Sequence, residues 1–444
     1  MDYLNRENEV APASGPDLVP HLFRSEYSKV VAVLVRHFGL EKIEVAEDLA
    51  SETFLAAVQS WSFDGVPKNP RAWIYAVAKN KARNYTVRAS KVREVGSDGL
   101  ESVAGHDLPV DLSDANISDS QLRMIFTVCH PAISTESQVG LALRILCGFS
   151  IEEIADAFLS SKETIYKRLQ RAKETLRREA SSLEVPGESE MEERLGAVLT
   201  TLYLLFSEGY YSESHPEVLR QDLAWEAMRL GELLLDHSAT NRPVTRALLA
   251  LMCFQSSRFP ARRGEDGEPV LYAEQDESKW DQTLIARGAE LLRRASGGES
   301  VSPYHLEASI AYWHTVKEDT PEKWESILML YNQLLQIKYS PIAALNRTFA
   351  LAKVKGKAAA IKEAEKLRLT NNHFYFVLLG ELYREVDPEE ARRYLDQAFG
   401  LARTSTDRQT IRRKLDMLAH SGSQVIDLAS DPLDSRGSSA ILQR

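Results

Sequence analysis

Cysteine is scarce in this chain of 444 residues: Cys129, Cys147 and Cys253 stand far apart, and no two form a C-x-x-C pair. That spacing suggests neither a disulfide framework nor a zinc site, so the three read as small core residues. Long apolar runs are also missing. No stretch approaches the roughly 18 uninterrupted apolar residues of a membrane span, and the start, MDYLNRENEVAPASGPD, lacks the basic-then-apolar order of a secretory signal. The expected location is therefore the cytoplasm, with no membrane partner. Glu208, His215, Asp276 and the scattered histidines make no nucleophile, metal or phosphate-loop spacing. Neither an enzyme nor a metal or cofactor is expected. Period-two strand patterning is absent too, which leaves helices.

With 44% apolar residues the chain can bury several cores, and its length fits two to four domains. The net charge of −10 argues against nucleic acid until it is resolved along the chain. From Gly65 to Arg93 there are eight basic residues and no acid; from Glu94 to Leu122, seven acids and no Lys or Arg; from Lys162 to Arg178, seven basic residues against two acids. A solvated surface explains any one block, but explains the order basic, acidic, basic less well.

Residues 1–19, rich in Pro, Ala and Ser, read as a flexible tail. Phe23, Tyr27, Val30, Val31, Leu34 and Phe38 recur at helical spacing over His21–Phe38, with Gly39 as a C-terminal cap. A second helix is expected over Ile43–Ser60, and a third from Pro70, capped by Asn69, to about Val92. The acidic segment 94–116 reads as a linker. Helices resume at about 117–129, 134–147, 150–158 and 161–179, and after a polar break amphipathic helices alternate with short loops from about Met191 to His420. The fold class is all-α. Near the end, Leu345 pairs with Leu379, Asn346 with Gly380, Phe349 with Tyr383, Ile361 with Leu395, Ala364 with Ala398 and Leu367 with Leu401 at one constant offset of 34. That period is the one of tetratricopeptide repeats; the alternative is an ordinary pair of helical hairpins.

Within Phe149–Arg178, Ser150 with Glu153 and Ser160 with Glu163 each have capping-box spacing, so two helices start about ten residues apart, as in a helix-turn-helix. Ile165, Leu169, Ala172 and Leu176 form a seam on the second helix. Lys167, Arg168, Arg171 and Arg178, with Tyr166 and Gln170, are left outward, where a helix lying in the major groove needs them. The helix from Pro70 sets Lys79 with Arg83 and Asn80 with Asn84 on shared faces, interleaved with aromatics, a composition suited to separated DNA strands. Trp61, Phe63 and Trp73 fit a core role better than a stacking role. Glu44, Asp48 and Glu52 at i, i+4 and i+8 form an acidic stripe that a cationic partner would relieve or that merely solubilises its face.

In their order, EVAEDLASETFLAAVQSW with PRAWIYAVAKNKARNYTV resembles the sigma-two domain of extracytoplasmic-function sigma factors, and FSIEEIADAFLSSKETIYKRLQRAKETL resembles their sigma-four helix-turn-helix. LRMIFTVCHPAIS, RLGAVLTTLYLLFSEGYYSES and AEQDESKWD resemble the subgroup with a long tetratricopeptide-containing extension. The resemblance implies an alternative sigma factor whose partners are core RNA polymerase, through its β′ coiled coil and β flap, and promoter DNA. It implies polymerase contact by Glu44, Asp48 and Glu52, and minus-ten contact by Trp73, Lys79, Asn80, Arg83 and Asn84, with Asn80 near the flipped base. Minus-thirty-five contact falls to Lys162, Thr164, Tyr166, Lys167, Arg168, Gln170 and Arg171. The domains implied are sigma-two over 20–93, sigma-four over 117–180, a helical extension over 188–340, repeats over 341–420 and a tail over 421–444. The extension carries net charge −7 (32 basic, 39 acidic over 181–444). It is expected to bind protein, such as a regulator, and not DNA. The rival reading is a one-component helix-turn-helix regulator with a helical sensor, which would need neither EVAEDLASETF nor RAWIYAVAKNKARN.

Overall fold

A computed structural model describes residues 15–94, 109–158, 160–179, 188–210, 219–262, 264, 270, 272–298, 300–402 and 404–420. Among the described residues every regular element is helical, and no helix is long and apolar enough to cross a membrane. The chain divides into two compact units, residues 1–205 and 206–444, and the divide falls inside a helix, Glu188–Tyr210 (α8). The polar break at 181–187, which the sequence offers as the boundary, lies outside the described residues. The first turns of α8 belong with the N-terminal unit because Arg194 donates to the Phe126 carbonyl (3.0 Å) and Thr201 to Gln138 Oε1 (3.1 Å).

The N-terminal unit is built around α1 (Gly15–Phe38), which packs against α2 (Ile43–Asp64), α3 (Pro70–Glu94), α4 (Asp114–Val128) and a π-helical turn, Ala142–Leu146. All of Val30 to Val35 are at most 2% exposed. A single apolar stripe was expected, but Ala32, Val33 and Val35 are buried as well, since a helix apolar all round needs covering all round. α1 also starts inside the segment read as a tail; residues 1–14 lie outside the described ones. Gly39 ends it at φ 91°, donating to the Val35 carbonyl (2.8 Å). Of the acidic linker, residues 95–108 lie outside the described residues, while Asp114 already opens α4 behind its cap Ser113. α5 (Thr135–Leu141), α6 (Ile151–Ala157) and α7 (Lys162–Glu179) complete the unit.

Residues 206–444 begin from α9 (Leu219–Leu235) and α10 (Pro243–Ser256), the latter buried over most of its length and packed on α9, α11 (Gln282–Ala295) and α12 (Pro303–Trp313). Then α13 (Pro321–Ile337), α14 (Pro341–Lys355), α15 (Lys357–Leu367), α16 (His373–Tyr383), α17 (Pro388–Leu401) and α18 (Ser405–His420) each pack on their sequence neighbours. Proline opens α10, α12, α13, α14 and α17, where its missing N–H costs nothing. One continuous apolar core runs from Leu306 on α12 to Ile411 on α18. The positions 34 apart occupy like places on α14–α15 and α16–α17. Leu345 and Leu379, and Ala364 and Ala398, are buried, and Gly380 lies so close to Leu395 that a Cβ there would meet its Cγ at 2.7 Å. Leu401, by contrast, is exposed.

Candidate nucleic-acid interface

On α3, Asn69 caps the first turn through Ala72 N–H (3.0 Å), and Ile74, Ala78 and Ala82 at i, i+4 and i+8 are fully buried. That inward face leaves Lys79, Asn80, Arg83 and Asn84 exposed. Trp73 is half-buried, edge-on to the buried Trp61 at 5.4 Å between ring centroids. Phe63, read from the sequence as a core residue, is instead 91% exposed: it lies in the last turn of α2, where Trp61 and not Phe63 faces Trp73 of α3. Lower on α3, Tyr75 donates to the buried Glu26, which also pairs with Arg71 (3.4 Å) and Lys29 (2.8 Å). Burial and the Glu26 charge together push the Tyr75 hydroxyl well above its ordinary pKa.

The acidic stripe of α2 divides in two. Asp48 and Glu52 are exposed, Glu52 pairing with Lys81 of α3 (2.9 Å), and Leu55 and Val58 continue outward beside them. Glu44 is half-buried and paired with Arg177 of α7.

The α6–α7 pair has the expected seam: Ile165, Leu169, Ala172 and Leu176 are buried. Ser150 makes a full capping box with Glu153, at 3.1 Å and 2.7 Å. The second box is corrected. Ser161, not Ser160, caps α7, accepting from Thr164 N–H (3.2 Å), because α7 starts at Lys162 and its first backbone bond runs from Ile165 N–H to the Ser161 carbonyl (3.1 Å), while the Ser160 N–H still closes the end of α6 on the Ala155 carbonyl (2.9 Å). Lys162, Thr164, Tyr166, Lys167 and Arg171 are exposed, Tyr166 by 52%, while Arg168 and Gln170 are half-buried. Lys162 reaches back to Glu152 of α6 (3.0 Å), and this hydrogen bond holds the Glu152 carboxyl below its usual range. Ile151, Glu152, Lys162, Tyr166 and Lys167 line an open cleft between the two helices.

Three charged residues at the centre of this unit were not singled out in the sequence. Glu47, on the inner face of α2, accepts from Arg144 of the π-turn (3.0 Å) and from Lys173 of α7; Glu47 and Lys173 are each less than 8% exposed. Arg144 also donates to the Phe149 carbonyl (3.0 Å). Their spacing carried the signal. Glu47 follows Ile43 by four and precedes Ala50 by three; Lys173 follows Leu169 by four and precedes Leu176 by three. Each lies on an apolar seam, where a charge needs a partner.

Residues 22–92, which coincide with α1–α3, match Sigma-70 region 2, and residues 194–296 match a family of unknown function, DUF6596. An uncharacterized protein of Rhizobium meliloti (strain 1021) is 33% identical over 399 residues, 88% of this chain and 93% of its own length. The ECF RNA polymerase sigma-E factor of Haemophilus influenzae is 28% identical over 165 residues, 35% of this chain and 84% of its own. No solved structure matches the chain. The chain therefore belongs to one family with the uncharacterized Rhizobium protein, and its first three helices carry a Sigma-70 region 2 domain.

Proposed function

We propose that the protein is an alternative sigma factor of the extracytoplasmic-function type, which binds core RNA polymerase, recognises promoter DNA and directs initiation without chemistry of its own. The carrying observation is that the region 2 match covers three helices bearing both kinds of surface the role requires. α2 offers Asp48 and Glu52 beside exposed Leu55 and Val58, a face suited to a basic and apolar coiled coil. α3 offers Lys79, Asn80, Arg83 and Asn84 over a rigid buried stripe, with Trp73 held at its head and Phe63 outward. Cations serve the phosphates of opened strands, amides and rings the unstacked bases. α7 serves the minus-thirty-five duplex through Lys162, Thr164, Tyr166, Lys167 and Arg171, with Arg168 and Gln170 closer to the protein; the Haemophilus relative, by name a sigma-E factor, supports this assignment.

Residues beyond α8 act as a tetratricopeptide-like control module that binds protein. Support comes from the 34-residue spacing and the nearest-neighbour packing of α13–α18. Run-off transcription with purified core polymerase tests the reading. Core-dependent initiation from a cognate promoter is expected, whereas duplex binding without core-dependent initiation would indicate a one-component regulator. Removing the chain after Tyr210 should alter promoter-dependent transcription, and unaltered activity and regulation would remove the control role.

A further inference from the structure

We infer that Arg71 is a ligand for a backbone phosphate of promoter DNA at the head of α3, and that Tyr75 and Glu26 are the residues that position it. This role rests on the sigma-factor reading above and adds one contact to it. Arg71 lies in the first turn of α3, two residues before Trp73. Lys79 follows two turns later, about 12 Å along the helix at about 1.5 Å per residue. Arg71 thus carries the cations of α3 that face outward, Lys79 and Arg83, back to the start of the helix, in a segment, Gly65–Arg93, that holds eight basic residues and no acid.

The guanidinium of Arg71 has two unlike edges. Its inner edge is tied to the protein: Nε donates to the Tyr75 hydroxyl (3.0 Å), Tyr75 donates in turn to Glu26, and Glu26 itself lies 3.4 Å from Nε. The same group sits 5.3 Å from the centre of the Tyr75 ring. Glu26 is 5% exposed and also pairs with Lys29 on its own helix (2.8 Å). A buried ionic network adds little net stability over apolar packing; what it supplies here is a fixed direction for Arg71. The outer edge already holds an oxyanion. Nη2 donates to Asp114 (2.7 Å), and the side chains of Arg71 and Asp114 are 44% and 84% exposed. A pair so open to water contributes little, so a phosphate oxygen, which accepts from a guanidinium in the same way, can take the place of the carboxylate. Arginine suits both tasks at once, because its planar fork can be braced along one edge and still donate from the other. A lysine has a single donor group at the end of a flexible stem.

The test measures salt dependence, which a merely structural role does not move. Holoenzyme assembled from core polymerase and the full-length chain is titrated, from about 0.05 to about 0.2 M salt, with two fluorescent probes. One is a promoter fragment that supports run-off, opened across its minus-ten element; the other is the same fragment with those bases scrambled. Arg71→Gln should weaken both probes by the same factor, about fivefold at about 0.1 M salt, and make the log-log salt slope shallower by about 0.7–0.9. Arg71→Lys keeps the charge and should keep the slope while losing part of the affinity. Tyr75→Phe removes the hydroxyl brace and should likewise weaken both probes at an unchanged slope. An unchanged slope in Arg71→Gln overturns the phosphate contact, and so does weakening confined to the unscrambled probe, which marks a base contact. Full affinity in Tyr75→Phe overturns the positioning role. Should Arg71→Gln fail to fold, full affinity in both Arg71→Lys and Tyr75→Phe overturns the inference. If the natural protein gives no core-dependent run-off from any promoter, the sigma reading falls and this contact with it.

Discussion

In the N-terminal unit the first three helices meet the later ones through the apolar packing of α1 on α4 and the π-turn and, around it, through charge: Glu47 with Arg144 and Lys173, Glu44 with Arg177, Arg36 with Asp119, and Arg71 with Asp114. In residues 206–444 the helices from α12 to α18 share one apolar core, and proline starts and close contacts such as Gly380 against Leu395 fix each helix on the next. Ion pairs are directional and can be passed to another partner, whereas an apolar seam loses its whole transfer free energy when opened to water. The N-terminal unit thus depends on matched charges as well as on apolar packing, whereas the extension depends on its apolar core.

The contrast can be broken first at Glu47. Glu47→Leu leaves Lys173 buried without its counter-charge and should cost about 3–5 kcal/mol in urea unfolding of the N-terminal unit. Adding Lys173→Met should recover most of that loss; a double variant as unstable as the single one would mean that packing, not charge, dominates the seam. In the extension, Leu345→Ala at a fully buried position should cost about 2–5 kcal/mol, with no second charge change able to rescue it.

A smaller effect separates the units by pH. Lys323 of α13 is buried, donating to the Val316 carbonyl and to the Tyr272 hydroxyl (3.3 Å), and burial brings its pKa down from 10.5 to about 8 against the opposing pull of Asp319. Between these two values the unfolded chain binds the extra proton, so stability of the extension should rise with pH across that window, by at most about 3 kcal/mol. Thermal unfolding of wild type and Lys323→Met from pH 7 to 10 checks this; parallel curves would refute it. The smallest expected change is at the α6 cap, where Ser150→Ala should cost about 1 kcal/mol and loosen α6, measurable as faster exchange confined to that helix.

Much of this architecture is written in local patterns. Gly39, Asn69, Ser150 and the run of helix-opening prolines mark helix ends by chemistry that acts within one turn. The outward set on α3 was legible because Ile74, Ala78 and Ala82 fix its inward face. Other features depend on what arrives from elsewhere in the chain. Ser160 has the capping-box spacing to Glu163, yet the fold keeps its N–H at the end of α6 and leaves Ser161 to cap α7. Phe63 resembles a core residue until no helix covers it.

By itself the sequence determined an all-helical chain, the order of its basic and acidic segments, the seams of α3 and α7 and the 34-residue spacing, because each follows from periodicity or capping within a few turns. The acidic stripe shows the limit of such reasoning. Glu44, Asp48 and Glu52 look alike along α2, yet tertiary structure turns Glu44 to Arg177 and leaves Asp48 and Glu52 outward, while Glu47 becomes the buried centre of the unit. A carboxylate's surroundings are set by helices that are distant in sequence, with Lys173 lying 126 residues from Glu47. Only the folded chain decides which charges meet.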